Sequence, residues 1–208
     1  CVLVFSKPGP TVAFPVSIYP GKYFVGNRKR VSVLYDEIEA IDKDVLPIPL
    51  VTQEEWDVAT RIHSQLPAWR ISEIADLTRG EINQTIFSEY ITKNPSHTEM
   101  IKGVEIDRYA ENWHLSQGEK QWFEEKSYSA QVKNAKSIPN FRIGVQRITG
   151  IDEQTRLRAT LFERRAYFAD STNSVASEDI TRLRFLLALT NSCLFNWRFK
   201  LTSTNNNV

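Results

Sequence analysis

The hydrophobic positions of this chain change rhythm along its length, from short apolar runs broken by turns, to one helical stripe, to alternating strands, to a second helical stripe. Cys1 to Phe5 reads as a buried strand, ended by Ser6-Lys7-Pro8-Gly9-Pro10, where two prolines and a glycine forbid continuation. Val12 to Tyr19 and Arg30 to Tyr35 are further strand candidates, separated by the basic turn Asn27-Arg28-Lys29-Arg30. The acidic stretch after them, ending in Pro47 and Pro49, reads as a linker. Thr52 and Glu55 then form a capping box, and Trp56, Ala59, Ile62 and Leu66 recur at helical spacing until Pro67. One face of this helix is expected to dock on the domain that follows.

Beyond Pro67 the pattern is one of strands and loops. Phe141, Ile143 and Val145 alternate with Arg142, Gly144 and Gln146. After a turn over Thr149 to Thr155, Leu157, Ala159 and Leu161 alternate with Arg156, Arg158 and Thr160. Paired as a hairpin, these segments present one apolar and one basic face. The last element is helical: Ser177 is the expected cap, Glu178 and Asp179 suit the positive end of the dipole, and Ile180, Leu183, Leu187, Thr190, Leu194 and Trp197 form one stripe. Asn191-Ser192 is a candidate break within it. The stripe runs on into a polar, asparagine-rich end, and with the strand-like opening this gives the chain the look of a piece of a longer protein. The expected fold class is mixed α/β (α+β): a strand-rich domain closed by C-terminal helices.

Composition adds constraints. At 208 residues the chain is long enough to bury a sizeable core, and 41% hydrophobic with 25% charged residues is ordinary for a globular protein. No apolar run reaches the roughly 18 residues of a membrane span, so no membrane partner is expected. Two cysteines at opposite ends give no disulfide framework, and a reducing, cytoplasmic location is the default. The net charge is only +1, but charge is unevenly spread. Asp36 to Asp57 holds eight acids against Lys43, while Lys133 to Arg165 holds eight bases against Asp152, Glu153 and Glu163. Such polarity suits a surface with one anion-facing side, and equally two ordinary solvated faces.

Catalytic constellations are scarce. His63, His97 and His114 lie in unrelated contexts, without metal-ligand spacing, and the few glycines form no phosphate-cradling loop. Asp107 followed at a distance by Glu124-Glu125-Lys126 fits the loose acid, acid-x-lysine arrangement of metal-dependent nucleases, though the same residues read as a solvated turn of helix.

Four spaced pieces change the picture: Trp69 to Ile74 through Leu77 to Asn83; Ile101 to Tyr109; Arg142 to Ile148; and Leu187 to Lys200. In this order, over about Pro47 to Val208, they resemble the C-terminal target-recognition, or specificity, domain of adenine-specific DNA methyltransferases and of the fused type IIG restriction-modification enzymes. The resemblance implies a division into residues 1–44, the last strands of a methyltransferase core or the connection out of it, and residues 45–208, the recognition domain. It implies double-stranded DNA and the parent's methyltransferase domain as partners. The parent would use S-adenosylmethionine, bound in a domain outside this chain. No cofactor, metal or catalytic residue is expected here, because neither the core's cofactor motif nor its Asn-Pro-Pro-Tyr motif is present in this sequence.

A recognition domain reads base edges with a few side chains while basic residues hold phosphates. The candidates are Arg142, Gln146, Arg147, Arg156 and Arg158 on the basic hairpin face, Arg79, Asn83 and Gln84 in a loop after a strand, and Lys102 and Arg108 flanking the second piece. Arg108 and Arg158 are equally suited to internal salt bridges. Two other readings stand beside this one: a metal-dependent nuclease built on Asp107, Glu124 and Lys126, and a protein-interaction module using the closing helices.

Overall fold

The computed structural model of the chain describes residues 9–18, 29–65, 71–115, 118–150 and 153–203. The expected strand at Cys1–Phe5, the Trp69-Arg70 start of the first piece and the final asparagines lie outside them. The fold is mixed α+β, and the described residues form ten strands in three sheets with five α-helices. Two compact units divide the chain: Cys1–Trp69 with Lys200–Thr202, and Arg70–Phe199 with Ser203–Val208.

In the first unit, β1 (Ala13–Ile18) and β2 (Lys29–Leu34) pair antiparallel, with Val16 opposite Val31 and Phe14 opposite Val33. Alternation sends Val31 and Val33 into the core, fully buried. The acidic stretch is not a linker. Tyr35–Ile41 folds as α1, with Asp36 and Glu37 in its first turn and Ile38 and Ile41 buried on one side. Glu37 accepts hydrogen bonds from the Leu34 amide and from the Trp56 indole, both at 2.9 Å. Thr52 and Glu55 form the expected capping box at the start of α2 (Gln53–Gln65). The buried face of α2, Trp56 and Ala59, packs inside this unit, and Gln53 binds the Ser32 backbone. The units therefore divide at Trp69–Arg70, not at Asp44.

The second unit holds two four-stranded sheets. One has the order β3 (Leu77–Arg79), β10 (Thr172–Ala176), β7 (Arg142–Gln146), β8 (Ala159–Phe162). The other has the order β4 (Ile91–Thr92), β6 (Gln121–Phe123), β5 (Thr98–Ile101), β9 (Tyr167–Phe168). The β7–β8 hairpin forms as the alternation predicts, Ile143 opposite Leu161 and Val145 opposite Ala159. These four residues pack with Val175, Leu183 and Leu186, the last two from α4 (Ile180–Thr190).

The opposite face of the hairpin departs from expectation. It is not a solvated basic surface, because a second apolar layer of Ile101, Ile106, Phe162, Ala166 and Phe168 covers it. A Cβ at Gly144 would meet Phe162, Ile106 and Phe168 at 2.9, 3.0 and 3.1 Å. A third cluster, built on Phe123, Tyr128 and Tyr167, fills the space between the second sheet and α3 (Glu125–Gln131).

The closing helices divide where the sequence suggests: α4 ends at Thr190 and α5 (Cys193–Thr202) begins beyond Ser192, whose hydroxyl accepts from the Phe195 amide. The cap of α4 is Asp179 rather than Ser177. The Asp179 carboxylate accepts from the Thr181 and Arg182 amides, and Ser177 supports it by accepting from the Asp179 amide.

Candidate nucleic-acid interface

The chain passes from the second sheet to the first through the turn Ala169-Asp170-Ser171, between β9 and β10. Three of the four sequence pieces meet at this turn. From the first, the Ile82 carbonyl accepts from the Asp170 amide at 2.8 Å, and Arg79 donates from Nη2 to Asp170 Oδ2 at 2.8 Å and from Nε to the Asp170 carbonyl at 3.2 Å. From the second, the Ile101 carbonyl accepts from the Ala169 amide at 2.8 Å, and the Gly103 amide donates to Ser171 Oγ at 3.0 Å. From the third, the Arg147 amide donates to the Ser171 carbonyl at 3.1 Å, and Arg147 Nη1 to the Asp170 carbonyl at 3.2 Å.

Two glycines make this approach possible. A Cβ on Gly80 would lie 2.0 Å from the Ala169 carbonyl oxygen, and one on Gly103 would lie 2.4 Å from that of Ser171. Only a residue without a side chain lets two separate backbone segments close on one turn at such distances. The sequence reading missed Asp170 and Ser171, although Asp-Ser between the apolar Tyr167-Phe168 and Val175 is itself a turn signal.

Around the turn, Arg79 is exposed, while Arg147, Gln146, Asn83 and Gln84 are half-buried. Asn83 shapes its loop: its Oδ1 accepts from the Thr85 and Ile86 amides, both at 3.0 Å. Gln146 donates to the Ile148 carbonyl at 3.0 Å, and its Oε1 is buried without a hydrogen-bond partner. Its cross-strand neighbour Thr172 likewise has an unpartnered hydroxyl. Ile86 and Ile148 present exposed apolar side chains next to these polar groups.

The remaining candidates are placed elsewhere or withdrawn from water. Arg142 is 3% exposed, ion-paired with Glu81 at 2.8 Å, bonded to the Ala166 carbonyl and stacked 3.5 Å from the Phe168 ring centroid. Arg156 is buried as well, donating to Ser203 Oγ at 2.8 Å beneath the Phe199 ring. The expected DNA-facing patch of Arg142, Gln146, Arg156 and Arg158 is therefore corrected. Both faces of its sheet are covered, and Arg156 and Arg158 precede β8 rather than alternate along it.

Arg158 is ion-paired with Glu153, with Asp107 at 4.0 Å, and Arg108 donates to the Asn191 carbonyl. Lys102 is buried against the Glu119 carbonyl. Burial pulls its ammonium below the ordinary lysine range, Lys120 adds to this, and Glu105 opposes it. Much of the basic stretch is thus taken up in ion pairs, since Arg164 also pairs with Glu99 and Glu111 and Arg165 with Glu125.

The nuclease-like residues keep separate company: Asp107 faces Arg158, whereas Glu124 lies 3.8 Å from His97 and accepts from Ser127. Among the described residues, no group of three or more His, Cys, Asp and Glu side chains is gathered as a metal site. No described helix is long and apolar enough to cross a membrane. In comparison with known proteins, no family model matches the chain, and no curated protein matches it either.

Proposed function

We propose that the second unit is a sequence-specific recognition module for double-stranded DNA, part of a restriction-modification adenine methyltransferase whose catalytic and S-adenosylmethionine-binding domain lies outside this chain. The observation that carries this reading is the convergence of three separate sequence pieces on one turn. These pieces resemble parts of a specificity domain in their residues, order and spacing, and in the fold three of them bond to the same turn. The residues around that turn combine arginines able to hold phosphates with side chains suited to base edges.

The reading surface is Arg79, the loop around Asn83 and Gln84, and Arg147. Gln84 has the amide chemistry for adenine, and Ile86 and Ile148 suit a thymine methyl group. Arg142, Arg156 and Lys102 belong to the scaffold. The module would supply register and specificity and no bond-making step of its own, holding duplex against the methyltransferase domain while the target adenine leaves the stack.

Selection of the chain against a pool of random duplexes tests the proposal. A recovered consensus is expected, with Gln84→Ala relaxing one position of it. Recovery of duplexes without any consensus would count against a reading module. A second reading, a protein-interaction module, draws on the exposed Phe185 of α4 and Leu194 of α5. Absence of duplex binding together with saturable binding to a helical protein partner would favour it.

A further inference from the structure

Asp170 is held more firmly than a turn residue needs to be. Its amide donates to Ile82, its carbonyl receives both Arg79 and Arg147, and one carboxylate oxygen receives Arg79. Two guanidinium nitrogens, each 3.2 Å from the same carbonyl oxygen, lie no further apart than twice that distance. Like charges at such spacing repel unless an anion sits with them.

The fold supplies one carboxylate for the two. Asp170 faces Arg79 at 2.8 Å, and Arg147 has no ion-pair partner among the described residues. The Arg79–Asp170 pair is open to water, with side chains 53% and 24% exposed, so it is weak and exchangeable. The backbone beneath it is not, because Gly80 and Gly103 let their segments clamp the turn at contact distance.

On the reading proposed above, we infer that Arg79 and Arg147 form a site for one backbone phosphodiester of duplex DNA, and that Asp170 is its internal competitor. In the free protein the Asp170 carboxylate takes the outward Nη2 of Arg79. A phosphodiester arriving between the two guanidinium groups displaces it without moving the turn, since both arginines keep their hydrogen bonds to the Asp170 carbonyl. Asp170 thereby lowers the affinity for any phosphate met without further contacts, which suppresses unspecific binding and makes it a determinant of specificity.

The test measures binding of the full chain to a mixed-sequence duplex over a range of salt. Asp170→Asn keeps the shape and removes the competing charge, so it is expected to tighten binding about 5-fold and to steepen the salt dependence by up to about one unit. The gain should vanish when Arg79→Ala is added. Arg147→Ala, which leaves the Arg79–Asp170 pair intact, should weaken binding and flatten the salt dependence by about one unit. Melting curves of each variant establish that it is folded. If the wild-type chain binds and Asp170→Asn binds no tighter, the competitor role is wrong and the recognition reading stands. If no form binds any duplex, both fall. Stabilisation by inorganic phosphate without duplex binding would make this a site for the free anion and overturn the inference.

Discussion

Arg142 and Glu81 form a two-point ion pair, Nη1 to Oε2 at 3.0 Å and Nη2 to Oε1 at 2.8 Å, at the boundary between the two sheets of the second unit. The side chains are 3% and 8% exposed, so the pair is shielded from salt and solvent. Glu81 also accepts from the Phe168 amide at 2.9 Å. One carboxylate thus ties the segment after β3 to both β7 and β9, and with them holds the turn that follows β9. The pair belongs to the scaffold beneath that turn.

Breaking this pair from one side leaves an uncompensated buried charge. Glu81→Ala or Arg142→Ala is expected to lower unfolding stability by about 3–5 kcal/mol, measured by denaturant titration. Replacing both together, Arg142→Met with Glu81→Leu, should recover only part of that loss: the surrounding Phe162, Phe168 and Ile106 accept the apolar pair, but the Phe168 amide and the Ala166 carbonyl lose their partners. Single variants no less stable than wild type would return Arg142 to the list of surface arginines.

Asn191, at the break between α4 and α5, closes the sheet from the helix side. It is 1% exposed, and its amide accepts from the Ala159 N–H at 3.0 Å and donates to the Ala159 carbonyl at 2.8 Å. Asn191→Ala strips the Ala159 N–H of its partner and leaves the Ala159 carbonyl with the Tyr109 amide alone, and is expected to cost about 1–3 kcal/mol. Asn191→Asp keeps the acceptor but loses the donor. It should also destabilise, since a carboxylate would then face the Ala159 carbonyl. Thermal unfolding of the two variants beside wild type decides this, and two unchanged midpoints would mean that Ala159 finds other partners.

The α4 cap separates two residues that the sequence leaves close in rank. Asp179→Ala removes the acceptor for two first-turn amides and should cost about 1 kcal/mol, whereas Ser177→Ala removes only a bond to the Asp179 amide and should cost less. Equal losses in denaturant titration would make the two residues a single capping unit.

These cases show what the sequence pattern carries. The β7–β8 hairpin, the α2 capping box and the helix break at Asn191-Ser192 are local, and period, capping chemistry and turn residues encode them directly. Helix α1 was missed because seven residues are too few for a period to emerge, and its acids resemble a solvated linker. The basic hairpin face was misread for a different reason. Alternation tells which residues share a face but not whether a second sheet covers it, and Gly144, which marks the close approach of Phe162 and Phe168, is an ambiguous signal alone. Asp170 acquires its meaning only from residues 91 and 23 positions away, Arg79 and Arg147.

The ion pairs of Glu99 and Glu125 are expected to set an acid limit, and Tyr167 an alkaline one, to the stability of this unit. Burial alone would raise the Glu99 carboxyl, but hydrogen bonds from Arg164 at 2.6 Å and from Lys120 at 2.7 Å outweigh it and hold Glu99 below its ordinary 4.5. Glu125 behaves likewise: burial opposes, while Arg165 at 2.6 Å and Thr98 at 2.9 Å prevail and keep it below 4.5. A carboxyl with a lowered folded value stabilises the native state above its unfolded value, and this is lost as pH falls through the folded one. Stability should therefore be level toward neutral pH and decline below about 4.5. At the other end, burial first and then Glu125 raise the Tyr167 hydroxyl, so the unfolded chain ionises this group near 10.0 while the folded chain keeps its proton. Stability should decline again above that pH. Thermal unfolding across pH checks both limbs: Glu99→Gln should lose overall stability and flatten the acid limb, and Tyr167→Phe should flatten the alkaline one. An acid limb unchanged in Glu99→Gln would place its origin in other carboxylates.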